Sequence, residues 1–211
     1  MVRPFHHSTL ILANHNQHKA RELGALLAPQ DITIVTANDL DLPTVEENGT
    51  TFLENAVLKA RAASSATHLP VLADDSGLMV QAFQGGPGVH SNRWAQEVGG
   101  YEQAYQSLEQ MVRQTGDTSA SFECALVLYW PDHHYETSIG RVEGSLLFPA
   151  RGTAGFGYDP IFCPQGHTRT FAERDSEEKD AISHRGRAIA ALLQKCFSRV
   201  EGSLENLKET L

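Results

Sequence analysis

Two adjacent acids, Asp74 and Asp75, come directly after the short apolar run at residues 69–73, which we predict to be a strand. Neighbouring carboxylates repel each other unless a cation lies close to them, and Mg²⁺ prefers one or two carboxylates combined with phosphate oxygens. The pair therefore indicates a site for a hard cation at a strand end. An Asx-type turn, in which the acids cap the next segment, is the alternative. The segment Glu46-Glu47-Asn48-Gly49 could add a further carboxylate, although on its own it is more typical of a solvated turn.

A glycine-rich loop at residues 152–162 has a composition that suits neither a helix face nor an alternating strand. Its glycines permit close approach of the backbone, and the rings of Phe156 and Tyr158 offer flat surfaces to a planar ligand. The proline after Asp159 favours an extended or turn geometry that directs the carboxylate. These features indicate a site for a planar ligand with polar edges. The alternative is an ordinary connection whose aromatic side chains anchor it to the core.

The polar loop at residues 14–19 lies between a predicted strand and a predicted helix, where free backbone N–H groups favour an anion. Lys19 adds a positive charge, and asparagine side chains can donate hydrogen bonds. The loop lacks the spaced glycines of a P-loop, so helix-capping asparagines with solvated histidines are an alternative. His15 and His18 have a spacing that could bind a metal, but no third ligand lies near them in the sequence.

A further polar segment, at residues 173–186, precedes the last predicted helix. Lys179 and Arg185 offer charge-assisted donors, and His184 offers a donor or an acceptor near neutral pH. The neighbours Ser183 and His184 do not form a nucleophile arrangement, because such side chains usually point apart and no orienting acid is evident. The alternative is a polar lead-in to the helix.

The elements that position these groups alternate between strand and helix signals. Strands are predicted at residues 9–13, 32–35 and 69–73, and a further pair joined by a polar turn at 121–130 and 135–142. Helices are predicted at residues 17–27, 101–114 and 188–197, and a capping box at Thr51 opens one more, whose apolar stripe is Phe52, Ala56, Ala60 and Ala63. Lys59, on that helix, extends either toward an anion or into solvent. Crossover and hairpin connections together predict an α/β protein with a mixed central sheet and flanking helices.

The composition is that of an ordinary globular domain: 211 residues, 41% hydrophobic and 20% charged, with a net charge of −9. No apolar run approaches the ~20 residues that span a bilayer, and no basic stripe suits a nucleic-acid backbone. The first residues lack an apolar signal core, and an odd count of three cysteines argues against a disulfide framework. We therefore expect a cytoplasmic protein that binds neither membranes nor nucleic acids, folded as a single domain over residues 1–211.

These motifs occur together and in order, and in that arrangement the chain strongly resembles the Ham1-like inosine triphosphate pyrophosphatase family, the house-cleaning enzymes for dITP and XTP. The resemblance covers nearly all of the chain from about residue 10 to residue 193. It rests on the blocks Asn16…Lys19, Glu46-x-x-Gly49-x-Thr51-Phe52-x-Glu54-Asn55-Ala56…Lys59-Ala60, Asp74-Asp75-Ser76-Gly77-Leu78, Gly85-x-Pro87-Gly88, Gly155-Phe156-Gly157-Tyr158-Asp159-Pro160-Ile161-Phe162, Thr170-Phe171-Ala172-Glu173 and Glu178-Lys179…Ser183-His184-Arg185-Gly186. One departure lies in the first loop, where the family usually has Thr or Ser followed by Gly or Asn. This chain has Asn14-His15 there, and the bulk of His15 bears on the phosphate contacts.

The resemblance implies an elongated α/β protein with two lobes that share one sheet, a cleft between the lobes and a homodimeric assembly. It implies Mg²⁺-dependent hydrolysis of ITP, dITP or XTP to the monophosphate and pyrophosphate, which cleanses the nucleotide pool. Asp75 matches the proton acceptor of the family, and Glu46, Asp74 and Asp75 would organise the metal. The substrate-binding positions that it implies are Asn14, His15, Asn16, Gln17, His18, Lys19, Lys59, Ser76, Phe156, Gly157, Tyr158, Asp159, Lys179, His184 and Arg185. It assigns no role to the tail at about residues 199–211.

Two alternative functions stay open at this point. A catalytically weak nucleotide-binding sensor could keep the same fold with the altered first loop, although binding alone would not need both Asp74 and Asp75. A Maf-like nucleotide pyrophosphatase is a neighbour in architecture, but it lacks the Ser-His-Arg-Gly and Gly-Phe-Gly-Tyr-Asp blocks. The sequence does not indicate which base is preferred among inosine, xanthine and deoxyinosine forms.

Overall fold

The computed structural model describes residues 2–197, which form a six-stranded sheet with helices packed on it. The strands are β1 (Thr9–Leu12), β2 (Thr33–Thr36), β3 (Val71–Val80), β4 (Ser119–Tyr129), β5 (Tyr135–Leu146) and β6 (Phe162–Pro164), in the order β2-β1-β3-β4-β5-β6. The β1 strand pairs in parallel with β2 and β3, whereas the β3–β4, β4–β5 and β5–β6 pairs are antiparallel. The predicted α/β class with a mixed sheet is confirmed. The tail at about residues 199–211 lies outside the described residues.

Six α-helices accompany the sheet in the described part of the chain. They are α1 (Gln17–Leu27), α2 (Phe52–Thr67), α3 (Ser91–Glu97), α4 (Tyr101–Thr115), α5 (Ser176–Ile182) and α6 (His184–Cys196). The predicted bounds of α1 are confirmed, and the Asn16 side chain caps the helix by accepting hydrogen bonds from the N–H groups of His18 and Lys19. The predicted capping box of α2 is also confirmed, since Thr51 and Glu54 exchange hydrogen bonds. No sequence signal predicts the short helices α3 and α5.

The strand that carries the two acids is longer than the sequence predicts. The expected strand at residues 69–73 stops at Asp74, but β3 runs through both acids to Val80 and pairs with β4 along its whole length. The Asx-type turn is wrong for the same reason. Carboxylates are rare inside a central strand, so the apolar pattern that predicts the strand ends at the two acids. The backbone pairing of β3 with β4 continues past them. Because successive side chains of a strand point to opposite faces, Asp74 and Asp75 leave the sheet on different sides.

The last helix begins earlier than its apolar pattern predicts. The sequence indicates a start at residue 188 after a polar lead-in, but α6 starts at His184, and the Ser183 side chain caps it by accepting a backbone hydrogen bond. His184 and Arg185 are polar yet buried, which hides the helix start from a reading of hydrophobic periodicity. Gly140 of β5 lets this first turn lie directly on the sheet, because a side chain there would collide with the His184 carbonyl oxygen.

The hydrophobic core has three parts, and β3 and β4 contribute to each of them. Helices α1 and α6 cover one face of the sheet, where Leu23 and Leu192 pack on leucines of the strands. Helix α2 covers the opposite face, and its predicted stripe of Phe52, Ala56, Ala60 and Ala63 is buried. The third part lies at the other ends of β3 and β4, where α4 packs Ala104 and Leu108. Residues halfway along β3 therefore lie between separate cores.

The described residues include neither a membrane-spanning helix nor a disulfide bond. Among residues 2–197, no helix combines the length and the apolar content that crossing a bilayer requires. Cys124, Cys163 and Cys196 are buried free thiols. Burial raises the pKa of the Cys124 thiol to about 12, so this sulfur stays protonated and unreactive at neutral pH.

Candidate active site

A cavity of about 280 Å³ collects most of the predicted site residues. Its walls come from the loop after β1, the middle of β3, one face of α2, the glycine-rich loop and the first turn of α6. The predicted residues that line it are Asn14, His15, Asn16, Lys19, Lys59, Asp75, Ser76, Phe156, Gly157, Tyr158, Asp159, Lys179, His184 and Arg185. Gln17, His18, Glu46 and Asp74 do not line it. Blocks from both ends of the sequence therefore meet in one place.

Asp74 lies on the closed side of β3, where its carboxylate is fully buried. Lys19 Nζ is 3.3 Å from its Oδ2 atom, Arg185 NH2 is 3.4 Å from the same oxygen, and the Asn14 amide donates a close hydrogen bond to Oδ1. Burial alone would raise the pKa of Asp74, but Lys19 and Arg185 hold it well below its usual value. The Asp74 carboxylate thus forms ion pairs with two cations of the protein, and it does not line the cavity.

Asp75 lies on the open side of β3 and lines the cavity, although it is only 5% exposed. Asn55 on α2 donates a 3.1 Å hydrogen bond to Oδ2, and Lys59 Nζ lies 3.4 Å from Oδ1. Burial raises the pKa of the Asp75 carboxyl, and Lys59 and Lys19 oppose that rise. Its basicity is therefore greater than that of a solvated aspartate, and its oxygens face the space where a ligand would lie.

Glu47 rather than Glu46 is the glutamate that reaches the cavity. The Glu47 carboxylate lies 2.8 Å from Lys59 Nζ, whereas Glu46 is exposed and lines no part of the cavity. The sequence offers both Glu46 and Glu47 as a further carboxylate, and the resemblance implies Glu46. Two adjacent acids in a coil carry no periodicity that separates an inward from an outward side chain. The amide side chain of Asn55 fixes this stretch to α2 by accepting a 2.8 Å hydrogen bond from the Gly49 N–H.

Asp75 and Glu47 are the carboxylates that could hold a metal in this cavity. Both approach Lys59, so they lie near each other on the α2 side. Hard oxygen donors of this kind suit Mg²⁺, which commonly takes one or two carboxylates and completes its shell with phosphate oxygens and water. No group of three or more His, Cys, Asp or Glu side chains able to hold a metal occurs among residues 2–197.

A buried ion-pair network occupies the opposite wall, and it includes an acid that the sequence reading missed. Glu22 of α1 contacts Lys179 at 2.7 Å and also receives a close hydrogen bond from Arg185. Lys179 contacts Asp159 at 2.6 Å as well. Although burial disfavours the ammonium, Asp159 and Glu22 raise the pKa of Lys179, so it stays charged. The only sequence signal for Glu22 is its place three residues after Lys19, on the same side of a helix.

The two aromatic residues of the glycine-rich loop have different environments. Phe156 lines the cavity, with Lys179 Nζ 4.8 Å from its ring centroid. Tyr158 is buried, its hydroxyl donates a 2.8 Å hydrogen bond to the Ser91 carbonyl oxygen, and its ring packs edge-on against Tyr101. The flat surface expected from Tyr158 is therefore used in the core, as the anchoring alternative predicts, and the surface expected from Phe156 is next to the cavity.

The loop turns around the Asp159 carboxylate. The Phe156 N–H donates a 2.9 Å hydrogen bond to Asp159 Oδ2, which also binds Lys179. Gly155 has φ +73° and lies against this carboxylate, so that a side chain at position 155 would collide with it. The Asp159 carboxylate thus points to groups of the protein itself, the Phe156 N–H and Lys179, and these contacts order the loop.

His184 and Arg185 line the cavity, and each has one buried polar atom without a hydrogen-bond partner. The His184 ring is stacked on Phe122, with centroids 4.7 Å apart and planes inclined by 9°. Burial and the nearby Arg185 hold the pKa of His184 well below its usual value, so the ring is neutral. Its Nδ1 atom and the Arg185 Nε atom are buried without a hydrogen-bond partner. Arg185 also donates a 3.0 Å hydrogen bond to Ser76 Oγ, which brings Ser76 to the same wall.

The residues of the first loop are divided between the cavity and its exterior. Asn16 caps α1, and His15 lines the cavity with its Nε2 atom 2.8 Å from a backbone carbonyl oxygen. Gln17 and His18 are exposed, and the His18 ring lies beside Phe156 outside the cavity. The helix-capping alternative therefore holds for Asn16, because its side chain already binds the N–H groups of His18 and Lys19. The side chain of Lys19 lines the cavity.

The sequence and the fold are similar to those of several known proteins. The model of the Ham1 family matches residues 10–195. A dITP/XTP pyrophosphatase of Rhodospirillum centenum is 49% identical over 200 residues, which are 93% of this chain and 98% of that protein. A dITP/XTP pyrophosphatase of Gluconobacter oxydans is 46% identical over 90% of this chain and 91% of its own length. A solved HAM1 protein from Coxiella burnetii superposes with a TM-score of 0.81 at 39% identity, covering 89% of this chain and 98% of that one.

Proposed function

This chain belongs to the Ham1 family, as its ordered sequence blocks predict, and we propose that it hydrolyses non-canonical purine nucleoside triphosphates such as ITP, dITP and XTP. The products are the nucleoside monophosphate and pyrophosphate, and the reaction removes these nucleotides from the pool. The observation that carries the proposal is that one cavity joins a pair of carboxylates beside Lys59 to an aromatic ring and buried donors on the opposite wall. A triphosphate and a purine base need these two environments at the same time.

The phosphates bind at the end of the cavity formed by α1 and α2. Lys19 and Lys59 line this end and supply positive charge for the phosphate oxygens. Asp75 and Glu47 would hold Mg²⁺ there, and the ion would neutralise phosphate charge and lower the pKa of a coordinated water. Asp74 supports this end indirectly, because it fixes Lys19 from the other side of β3.

Asp75 accepts the proton of the attacking water. Its burial raises its basicity, and the Asn55 hydrogen bond and Lys59 hold its two oxygens in a defined orientation. Water adds to the anhydride linkage between the α- and β-phosphates, its proton passes to Asp75, and pyrophosphate leaves. Lys59 lies beside the developing negative charge and stabilises it, which is the main protein contribution to phosphoryl transfer.

The base binds at the other end of the cavity, on the ring of Phe156. Hypoxanthine and xanthine carry an oxygen at position 6, whereas adenine carries an amino group. Arg185 Nε, which lacks a partner, is a donor for that oxygen, and neutral His184 offers a second hydrogen-bonding atom. An adenine amino group facing these donors would lose about 1–3 kcal/mol for each buried group left unpaired. This supports selection of 6-oxo purines.

We also propose a homodimer in the cytoplasm. Tyr135 and Ile139 of β5 are large hydrophobic side chains with exposed fractions of 47% and 55%. They lie where β5 is paired only with β4, because β6 joins it no earlier than Gly144. Exposed apolar residues on a strand with an open edge are a candidate interface. Sedimentation of the wild type and of an Ile139→Lys variant tests this assembly.

A catalytically weak nucleotide sensor of the same fold is the second candidate, and the observation in its favour is the His15 side chain inside the cavity. One experiment separates the two. The protein is incubated with Mg²⁺ and a panel of ITP, dITP, XTP, ATP and GTP, and pyrophosphate is scored separately from orthophosphate. We expect pyrophosphate from the first three and none after EDTA treatment. Orthophosphate alone, equal rates on ATP, or tight binding without turnover would contradict the proposed hydrolysis.

A further inference from the structure

The ring of His18 lies against the ring of Phe156 at the outside of the cavity. The two centroids are 5.1 Å apart and the planes are inclined by 20°, which is a stacked arrangement. His18 belongs to the first turn of α1, beside the phosphate end, whereas Phe156 belongs to the glycine-rich loop at the base end. This contact therefore joins the two ends of the cavity through side chains that are distant in sequence.

The imidazole of His18 lies outside the cavity. Phe156 lines the cavity and His18 does not, so the imidazole does not itself occupy the space of a ligand there. Within residues 2–197, His18 is the only aromatic ring stacked on Phe156. Two cations also lie over the ring, with Lys179 Nζ at 4.8 Å and Arg185 Cζ at 5.9 Å from its centroid.

The backbone on either side of Phe156 does not by itself fix the orientation of the ring. Gly155 and Gly157 flank it with φ values of +73° and +64°, and the hydrogen bond from the Phe156 N–H to Asp159 orders the backbone but not the side chain. A side chain that is mobile before binding loses rotamer freedom when the ligand orders it, and this loss weakens binding. A stacked partner that orders the ring in advance reduces that loss.

We propose that His18 is a positioning residue for Phe156: its imidazole holds the phenyl ring in the orientation that stacks on the purine base. The proposal rests on the proposed function, because it takes Phe156 to be the surface on which the base stacks. It departs from the sequence reading of His18 as a phosphate contact or a metal ligand. The next residue, Lys19, points to Asp74, so α1 serves the phosphate end through Lys19 and the base end through His18.

Steady-state kinetics with ITP, scored as pyrophosphate release, test this role. Loss of one aromatic contact in His18→Ala should raise KM about two- to tenfold and leave kcat within about twofold, because the chemistry lies at the other end. His18→Phe keeps a stacking ring and should restore KM. Gln17→Ala is the matched control, since Gln17 is the exposed neighbour in the same helical turn and lines no part of the cavity.

Inhibition by the two products gives a readout that separates the base end of the cavity from the phosphate end. The inhibition constant of IMP should rise in His18→Ala by the same factor as KM, and that of inorganic pyrophosphate should not change. A parallel rise for pyrophosphate would place the effect in the phosphate loop and overturn the proposal. An unchanged KM, a lower KM, or failure of His18→Phe to restore it would overturn it as well. If the wild type releases no pyrophosphate from ITP, the proposed function itself fails, whatever the variants do.

Discussion

The two walls of the cavity differ in how their charges are balanced. One wall carries a triad that we call the open triad, Asp75, Glu47 and Lys59, in which two acids face a single base. The other carries a closed network of three acids and three bases, which are Asp74, Glu22, Asp159, Lys19, Lys179 and Arg185. The closed network neutralises itself, whereas the open triad has one negative charge in excess. The closed network is suited to holding the shape of the fold, whereas the open triad is suited to binding an external cation.

Neighbouring residues of one strand belong to these different systems. Asp74 and Asp75 have the same side chain, yet cations lower the pKa of the first and burial raises that of the second. The alternation of side chains along β3 separates them by placing each against a different set of helices. A pair of adjacent acids in sequence is therefore not a pair of ligands in this fold. Only Asp75 has oxygens that face a substrate.

Removal of the Asp74 charge should have the largest effect, and it should be on stability. Asp74→Asn leaves Lys19 and Arg185 buried beside a neutral amide, and loss of one member of a buried ion pair costs about 3–5 kcal/mol. Urea unfolding followed by circular dichroism measures the free energy of unfolding. A change below about 1 kcal/mol would mean that the closed network does not hold the fold.

Removal of the Asp75 charge should affect the reaction instead. Asp75→Asn keeps the shape and the Asn55 neighbour but abolishes the proton acceptor, so kcat on ITP should fall by a factor of roughly 10² or more. The free energy of unfolding should change by less than that of Asp74→Asn, because Lys59 keeps Glu47 as a partner. Near-normal turnover at saturating Mg²⁺ would remove Asp75 from the mechanism.

The two glutamates before α2 offer a matched comparison of metal binding. Glu47→Gln removes a carboxylate from the open triad, and the Mg²⁺ concentration for half-maximal activity should rise about tenfold, the usual order for a weakened ligand set. Glu46→Gln changes an exposed side chain outside the cavity and should leave that concentration unchanged. A titration of activity against Mg²⁺ distinguishes them, and the reverse result would restore the sequence-based choice of Glu46.

The smallest effect concerns Asp180, an acid at the edge of the closed network. Its Oδ1 atom is buried without a partner, and burial, with Glu22 nearby, raises its pKa to about 6. A raised acid pKa means that the folded state binds the proton more tightly, so this contribution to stability is complete below about pH 4 and is lost as the pH rises through 6.

Asp180→Asn removes that titration. Its Tm should exceed the wild-type Tm at pH 7, and the difference should disappear toward pH 4. Thermal unfolding at a series of pH values measures the two curves. Parallel curves with a constant separation would show that Asp180 does not titrate in this range.

Much of the fold was accessible from local signals. The Thr51–Glu54 capping box marks a helix start through chemistry that acts within one turn, and the sequence predicts it. Capping by Asn16 acts in the same way, and it is the alternative to the substrate contact that the resemblance implies. The ends of β3 and the start of α6 were not, because their polar residues are compensated by partners far away in sequence. Arg185, for example, is tolerated inside a helix on the sheet since it meets Asp74 and Glu22 there.

The sequence predicts which residue types form the candidate site, but it predicts less well which of them line the cavity and which support the fold. The ordered blocks place most of the cavity residues, yet they do not separate Glu46 from Glu47 or assign Asp74 to a scaffold. The first distinction depends on the backbone conformation of the coil before α2, and the second depends on which face of β3 lines the cavity. Glu22 belongs to none of the sequence blocks that carry the resemblance. Its contacts with Lys179 and Arg185 in the structure identify it as a member of the closed network.

The central claim is that a cation binds the open triad and not the closed network. Its most direct test is a crystal structure of the protein with Mn²⁺ in place of Mg²⁺ and a non-hydrolysable ITP analogue, in which anomalous scattering locates the metal. We predict a peak bonded to carboxylate oxygens of Asp75 and Glu47, at about the 2.0–2.3 Å expected for such a hard cation, with Asp74 still on Lys19 and Arg185. A metal bonded to Asp74 or to Glu46 would contradict the account.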